Sequence, residues 1–275
     1  MTKKFIKTFF FILLIAVLSG TVFFTFSAVY ENNQIEKLVS EFISDGERLG
    51  FSKTYNAWFY KVKKDYKDVT PSFTYVEEKD RPYFFKDYPY VCGSTGDILT
   101  SLHSPLDSKI LRDFVEFYFG GHAAIVNGYN VIETTGLNED MSTNVVIRGD
   151  NDWLYPYNTK RAEFIALKVK NASETDRIKA YENAESKLGE PYNYSFIFNT
   201  KKSHYCTDLV SKSYYQVSEE YDLNEDEIAV TVQDLIVSSN TYIFLYKNQN
   251  LDGTYNIYYL DDGIEYDFNL EVNKQ

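Results

Sequence analysis

From Thr8 to Tyr30 the chain runs 23 residues without a charge, dense in Phe, Leu, Ile and Val, and this stretch constrains everything that follows it. As a helix it reaches about 35 Å, enough to cross a hydrocarbon core of about 30 Å. Lys3, Lys4 and Lys7 precede it. The positive-inside rule therefore keeps the N-terminus in the cytoplasm and puts the rest outside. The competing reading is a cleaved secretory signal, with Thr25 and Ser27 as the small residues near its end. The length favours an uncleaved single-pass anchor in the cell membrane. On either reading the body of the chain is extracytoplasmic.

Of the 28 basic residues three lie before the run, so the body sets 25 against 40 acidic residues, a net charge of −15. Such a surface does not bind nucleic acid by general electrostatics. Twenty-five Tyr and 21 Phe suit strands and half-buried surfaces, where the ring packs and the hydroxyl stays wet. Two cysteines, Cys92 and Cys206, make no disulfide framework in 275 residues. With three histidines and no zinc spacing, no metal site and no cofactor is expected.

After the anchor, Ile35, Leu38, Val39 and Phe42 recur at helical spacing. Residues 55–68 mix aromatics with lysines and read as a second helix, broken at Thr70-Pro71. Arg81-Pro82 and Tyr88-Pro89 bracket an extended stretch. A short strand is expected at 97–100, a helix at 107–119, and strands at 121–126 and 129–135 joined by an Asn127-Gly128 turn. Further strands read at 164–169, 241–246 and 254–260. A helix begins at Ser173 and stops at Gly189, and another follows Ser203. Mixed helices and hairpins indicate an α+β domain with an antiparallel sheet. The organisation expected is an anchor or signal segment over 1–30, a helical, aromatic-rich connecting region over 31–85, a main domain over 86–247, and a hairpin and tail over 248–275.

If Asn127 and Gly128 are the two loop residues, His122 stands directly opposite Glu133 on one sheet face. A carboxylate there holds an imidazole in one tautomer and stabilises its charged form. On the hairpin alone, a structural His–Glu pair is the simpler account. Cys206 changes the balance. The face Cys206, Leu209, Val210, Ser213, Val217 packs inward, placing the thiol in the first turn of a helix. Unpaired N–H groups and the helix dipole favour a thiolate there, whereas a buried cysteine is by default an inert small hydrophobe. His204, two residues before Cys206, points away from that face. His103 and Asp97 have no argument beyond position.

The ordered set Gly96-Asp97-Ile98, Gly121-His122-Ala-Ala-Ile, Glu133, Gly189-Glu-Pro-Tyr-Asn-Tyr and Tyr205-Cys206-Thr-Asp-Leu-Val resembles the circularly permuted papain-like amidases. This is the NlpC-related group that includes the YiiX/YebB-like bacterial proteins and, distantly, the lecithin:retinol acyltransferases. The resemblance covers roughly residues 90–245. It implies a permuted papain-like fold with Cys206 as nucleophile, His122 as base and Glu133 as the orienting residue. Where the family often has Ser-Glu after the cysteine, this chain has Thr207-Asp208. Tyr192 and Tyr205 are candidates to line the substrate pocket, though such tyrosines are more often packing aromatics. Three readings stay open: an amidase or peptidase acting on cell-wall or other extracellular peptides, a lipid acyl hydrolase or acyltransferase, and a non-catalytic envelope binding module.

Overall fold

Ile35 and Phe42 are buried on one face of a single long helix, α1 (Lys3–Ser44), so the amphipathic segment continues the helix of the uncharged run. This computed structural model describes residues 3–63, 83–104, 106–196, 200–224 and 229–271, except for the side chains of 3–13 and 15–17. Among the described residues no helix is long and apolar enough to cross a membrane. Much of the expected span, Thr8–Tyr30, lies outside the described side chains. In the part that is described, Leu18, Val22, Phe23, Phe26 and Tyr30 are exposed. The break expected at Thr70-Pro71 and the start of the extended stretch at Arg81-Pro82 fall in 64–82, outside the described residues.

The helix expected over 55–68 is instead a strand where it is described. β1 (Gly46–Ser52) pairs antiparallel with β2 (Ala57–Val62), in which Ala57 and Phe59 are buried and alternate with half-exposed Trp58 and Tyr60. That period of two in burial is the strand geometry, and consecutive large aromatics suit it. β3 (Phe84–Phe85) and β4 (Tyr88–Cys92) form a small separate hairpin. The remaining strands are β5 (Ile98–Ser101), β6 (His122–Asn127), β7 (Asn130–Thr134), β8 (Val146–Asp150), β9 (Phe164–Val169), β10 (Thr241–Gln249), β11 (Tyr255–Leu260) and β12 (Leu270–Glu271). They join one ten-stranded sheet in the order β12-β1-β2-β11-β10-β9-β5-β6-β7-β8. Every neighbouring pair is antiparallel except β2 and β11. β1, β2, β11 and β12, from outside the main domain expected over 86–247, thus extend the central sheet.

The other helices are α2 (Lys109–Phe119), α3 (Glu174–Glu185), α4 (Cys206–Tyr215) and α5 (Val232–Val237). α3 starts at Ser173 through a capping box with Asp176 and ends three residues before Leu188. α3 and α4 pack together over β6 and β7, while α5 lies between α1 and β10. The site therefore forms where α4 meets the β6–β7 hairpin.

The hairpin register differs from the expected one by two. Val126 pairs with Val131 and Asn127 with Asn130, so the loop residues are Gly128 and Tyr129. Gly128 takes a positive φ of 51° at the first loop position, the glycine position of a II′ turn. Asn151 fixes this choice: its Nδ2 donates to Gly128 O at 2.6 Å and its N–H to Tyr129 O at 2.9 Å. Tyr129 then packs against Tyr88, with ring centroids 4.4 Å apart and planes tilted by 56°. An even shift keeps each residue on its face, so His122 and Glu133 remain neighbours, now diagonal. Both faces are filled, by Ala124, Val126 and Val131 on one and by Ala123, Ile125 and Ile132 on the other.

Candidate active site

Cys206 is the first helical residue of α4, preceded by Tyr205 in extended conformation (φ −102°, ψ 170°). The helix begins there because its approach is tied down. His204 N donates to Pro191 O and Asn193 N to His204 O, both at 3.0 Å. Tyr205 Oη accepts from Val230 N at 2.9 Å, and Thr207 Oγ1 donates to Val230 O at 2.6 Å. The first N–H groups of a helix have no intrahelical partner, so the sulfur sits at the positive end of the dipole. Leu209, Val210 and Ser213 are buried, as the inward face requires.

His122 opens β6, immediately after Gly120-Gly121. A Cβ on Gly121 would lie 2.0 Å from His103 O, so this step from α2 into the sheet requires glycine. Gly121→Ala should destabilise the protein by about 2 kcal/mol or more and slow alkylation of Cys206, because backbone must move to admit the methyl group. Denaturant titration and iodoacetamide kinetics check both effects.

The His122 Nε2–Glu133 Oε2 distance is 2.6 Å, which leaves Nδ1 to face the sulfur. Gly149, across on β8, makes room for the carboxylate: a Cβ there would sit 2.9 Å from Glu133 Oε1. Burial pushes the Cys206 thiol up, but its hydrogen bond to His122 and the imidazolium charge outweigh this. Backbone N–H groups of Ala123 and Thr207 add to them, and the net pKa is lowered. For His122, burial and the Arg161 guanidinium push down, while hydrogen bonds to Cys206 and Glu133 and the Glu133 charge win and raise it. Burial raises the Glu133 carboxyl, yet His122, Arg161 and Lys160 bring it below its ordinary value. The three shifts point the same way, each favouring the charged form: thiolate, imidazolium and carboxylate.

Sequence reasoning missed two residues of this centre. Arg161 Nη2 lies 3.6 Å from Glu133 Oε2, and its guanidinium lies 4.2 Å over the Trp153 ring. Trp153 is fully buried and stacks alongside His122, with centroids 6.4 Å apart and planes 20° from parallel. Lys247 Nζ in turn donates to Trp153 O at 3.1 Å. Both missed residues come from the segment between β8 and β9, Trp153 from a turn and Arg161 from the end of a single 3-10 turn (Thr159–Arg161), and its sequence has no periodic signal.

Tyr192 and Tyr205 flank the site. Burial raises both phenols, and the charge of Cys206 contributes to each. Phe196 bridges them, 6.0 Å from Tyr192 and 5.3 Å from Tyr205 between ring centroids. His204 lies apart from the thiol: its Nε2 meets Glu190 Oε2 at 2.9 Å and its Nδ1 meets Asp208 Oδ2 at 3.2 Å. Cys92 and Cys206 are both free thiols. Burial raises the thiol pKa of Cys92. Among the described residues no group of three or more His, Cys, Asp or Glu side chains is arranged to hold a metal ion.

Residues 94–229 match the family described as permuted papain-like amidase enzymes, YaeF/YiiX, C92 family. This segment belongs to that family. The permuted papain-like amidase segment contains Cys206, His122, Glu133, Tyr192, Tyr205, Trp153 and Arg161, while α1, β1, β2 and β10 to β12 lie beyond it. A solved structure that it resembles is the metalloprotein yiiX from Escherichia coli O157:H7. The two share 14% identity at a TM-score of 0.36, over 55% of this chain and 95% of that one. No curated protein matches the chain.

Proposed function

We propose that the protein is a cysteine hydrolase of the amidase or peptidase type, working through an acyl-enzyme on Cys206. The observation that carries this is the continuous Cys206–His122–Glu133 chain at a helix N-terminus, with the thiol pKa lowered and the imidazole pKa raised. The thiolate attacks a substrate carbonyl, His122 protonates the departing amine, and then takes a proton from the water that releases the acyl group. The Cys206 N–H, at the first helical position, is a donor for the oxyanion. Glu133 holds the imidazole tautomer, and Arg161 holds Glu133. The uncharged run behind Lys3, Lys4 and Lys7 supports a single-pass anchor with this domain outside the membrane. Substrates are then extracytoplasmic peptides, including cell-wall peptides. The aromatic run Phe119, Phe196, Tyr205, which ends next to Cys206 in the chain, favours lipid acyl groups as a second substrate class.

Iodoacetamide separates a catalytic domain from a binding module that merely keeps the fold. At about pH 6, below the ordinary thiol range, Cys206 should be alkylated and Cys92 spared. Equal labelling of both, or a Cys206–Cys92 cross-link in non-reduced active protein, overturns the assignment. The pH profile of turnover should be bell-shaped. Its acid limb falls as the thiolate protonates through the lowered Cys206 pKa, and its alkaline limb falls as the imidazolium is lost through the raised His122 pKa.

A further inference from the structure

α2 is built inside out. Its sequence, KILRDFVEFYF, is amphipathic, yet none of its residues is buried. Ile110 is 83% exposed, Leu111 57% and Phe114 55%, so the apolar side faces away from the protein. Glu116 faces in: its Oε1 accepts from Ser104 N at 2.9 Å and lies 3.6 Å from His103 Nδ1, while Lys109 and Asp113 pair with each other in solvent. An exposed patch of this kind marks a surface that some apolar partner covers.

The partner is indicated by what α2 is fastened to. Thr25 Oγ1 hydrogen-bonds Tyr118 Oη at 3.0 Å, and Asn32 Nδ2 donates to Phe117 O at 3.0 Å. These two bonds straddle Tyr30, where the uncharged run ends. Thr25 is five residues, about 7–8 Å of helix, inside that end. Helices that lie in a membrane interface sink their apolar face about 5–10 Å. Phe23, Phe26 and Val29 of α1, on the helix that α2 packs against, are exposed as well. The run therefore sets a depth, and α2 is held at it with its apolar side outward.

We infer that α2 is an interfacial helix: its Ile110–Leu111–Phe114 face lies in the outer surface of the bilayer that α1 enters. α2 ends at Phe119, and Gly120-Gly121 lead directly to His122. Phe119 also reaches Phe196, with ring centroids 6.2 Å apart, and Phe196 packs on Tyr205, the residue before Cys206. Docking α2 thus holds the mouth of the site against the membrane surface.

The inference rests on the proposed span and is independent of the thiol chemistry. The test uses the full chain in phosphatidylcholine vesicles, with and without bromine on the acyl chains. Phe114→Trp places a reporter on the docking face, and Leu251→Trp places one at the exposed β10–β11 turn. Emission of the Phe114→Trp chain, corrected for the wild type, should fall by about half or more in brominated vesicles, and that of Leu251→Trp should hold. An unquenched Phe114→Trp on vesicle-bound chain overturns the inference. If that chain also cross-links as a dimer through α2, the face belongs to a second copy instead. Absence of vesicle binding overturns both the docking and the span, while Cys206 alkylation in the same samples reads the hydrolase proposal separately.

Discussion

Replacing His122 with alanine should remove the low-pH reactivity of Cys206 and depress turnover nearly as far as Cys206→Ala does. Each change should cost about four orders of magnitude in kcat, and the double variant should be little worse than either alone, because the two residues act as a unit. The reason is visible in the balance at the thiol. Burial alone pushes Cys206 up, and the largest opposing effects are the hydrogen bond and charge of His122. Without the imidazole the helix N-terminus remains, but the buried sulfur reverts to a thiol at neutral pH. Glu133→Gln should cut activity less than His122→Ala and shift the alkaline limb downward, since the carboxylate helps raise the imidazole. His204→Ala is the control. It should leave the pH dependence of alkylation intact while costing about 1–3 kcal/mol of stability, because His204 is buried between Glu190 and Asp208. Alkylation rates against pH, with circular dichroism on each variant, give the answer. If His204→Ala abolishes the low-pKa thiolate and His122→Ala does not, the base has been misassigned and the hairpin pair is structural.

The positions of Cys206, His122 and Glu133 were readable in sequence because each sits in a short pattern with its own physical logic, while the roles expected of them came from the family resemblance. One is a helix start before an inward apolar face, and the other two lie on a hairpin whose even periodicity survives a register shift. The register itself was not readable. Asn-Gly and Gly-Tyr both make two-residue turns, and Asn151, 23 residues beyond Gly128, selects between them. Arg161 and Trp153 were invisible for a related reason: irregular backbone delivers them, and only the folded sheet brings that backbone under His122. β2 was misread because lysines after Tyr60 imitate a polar helix face, and its three consecutive aromatics, Trp58, Phe59 and Tyr60, alternate only in burial, which the sequence does not display. For α2 the sequence reveals an apolar stripe but carries no information on whether that stripe faces the core or the surroundings.

Asp97, which sequence offered only as part of a weak Gly-Asp-Ile pattern, should prove to be a stability residue. Its carboxylate accepts from Lys168 Nζ at 2.9 Å and 3.1 Å and from Ser94 N at 2.7 Å, with both charged side chains fully buried. Lys168 lies 5.3 Å from the Tyr83 ring centroid and 5.0 Å from that of Phe244, an apolar setting in which losing its carboxylate partner is costly. Asp97→Ala should therefore destabilise the protein by about 3–5 kcal/mol. Adding Lys168→Met should recover much of that loss, since an apolar pair is often as stable as a buried ion pair. The β5–β9 pairing joins the site-bearing half of the sheet to the other half, so the penalty is global rather than local. Cys92 is a built-in reporter: buried, with its thiol pKa raised, it is modified when the fold opens. Its alkylation midpoint in urea should drop for Asp97→Ala and rise again in the double variant. If Asp97→Ala keeps the wild-type midpoint but loses turnover, Asp97 acts in the chemistry and the structural assignment is wrong.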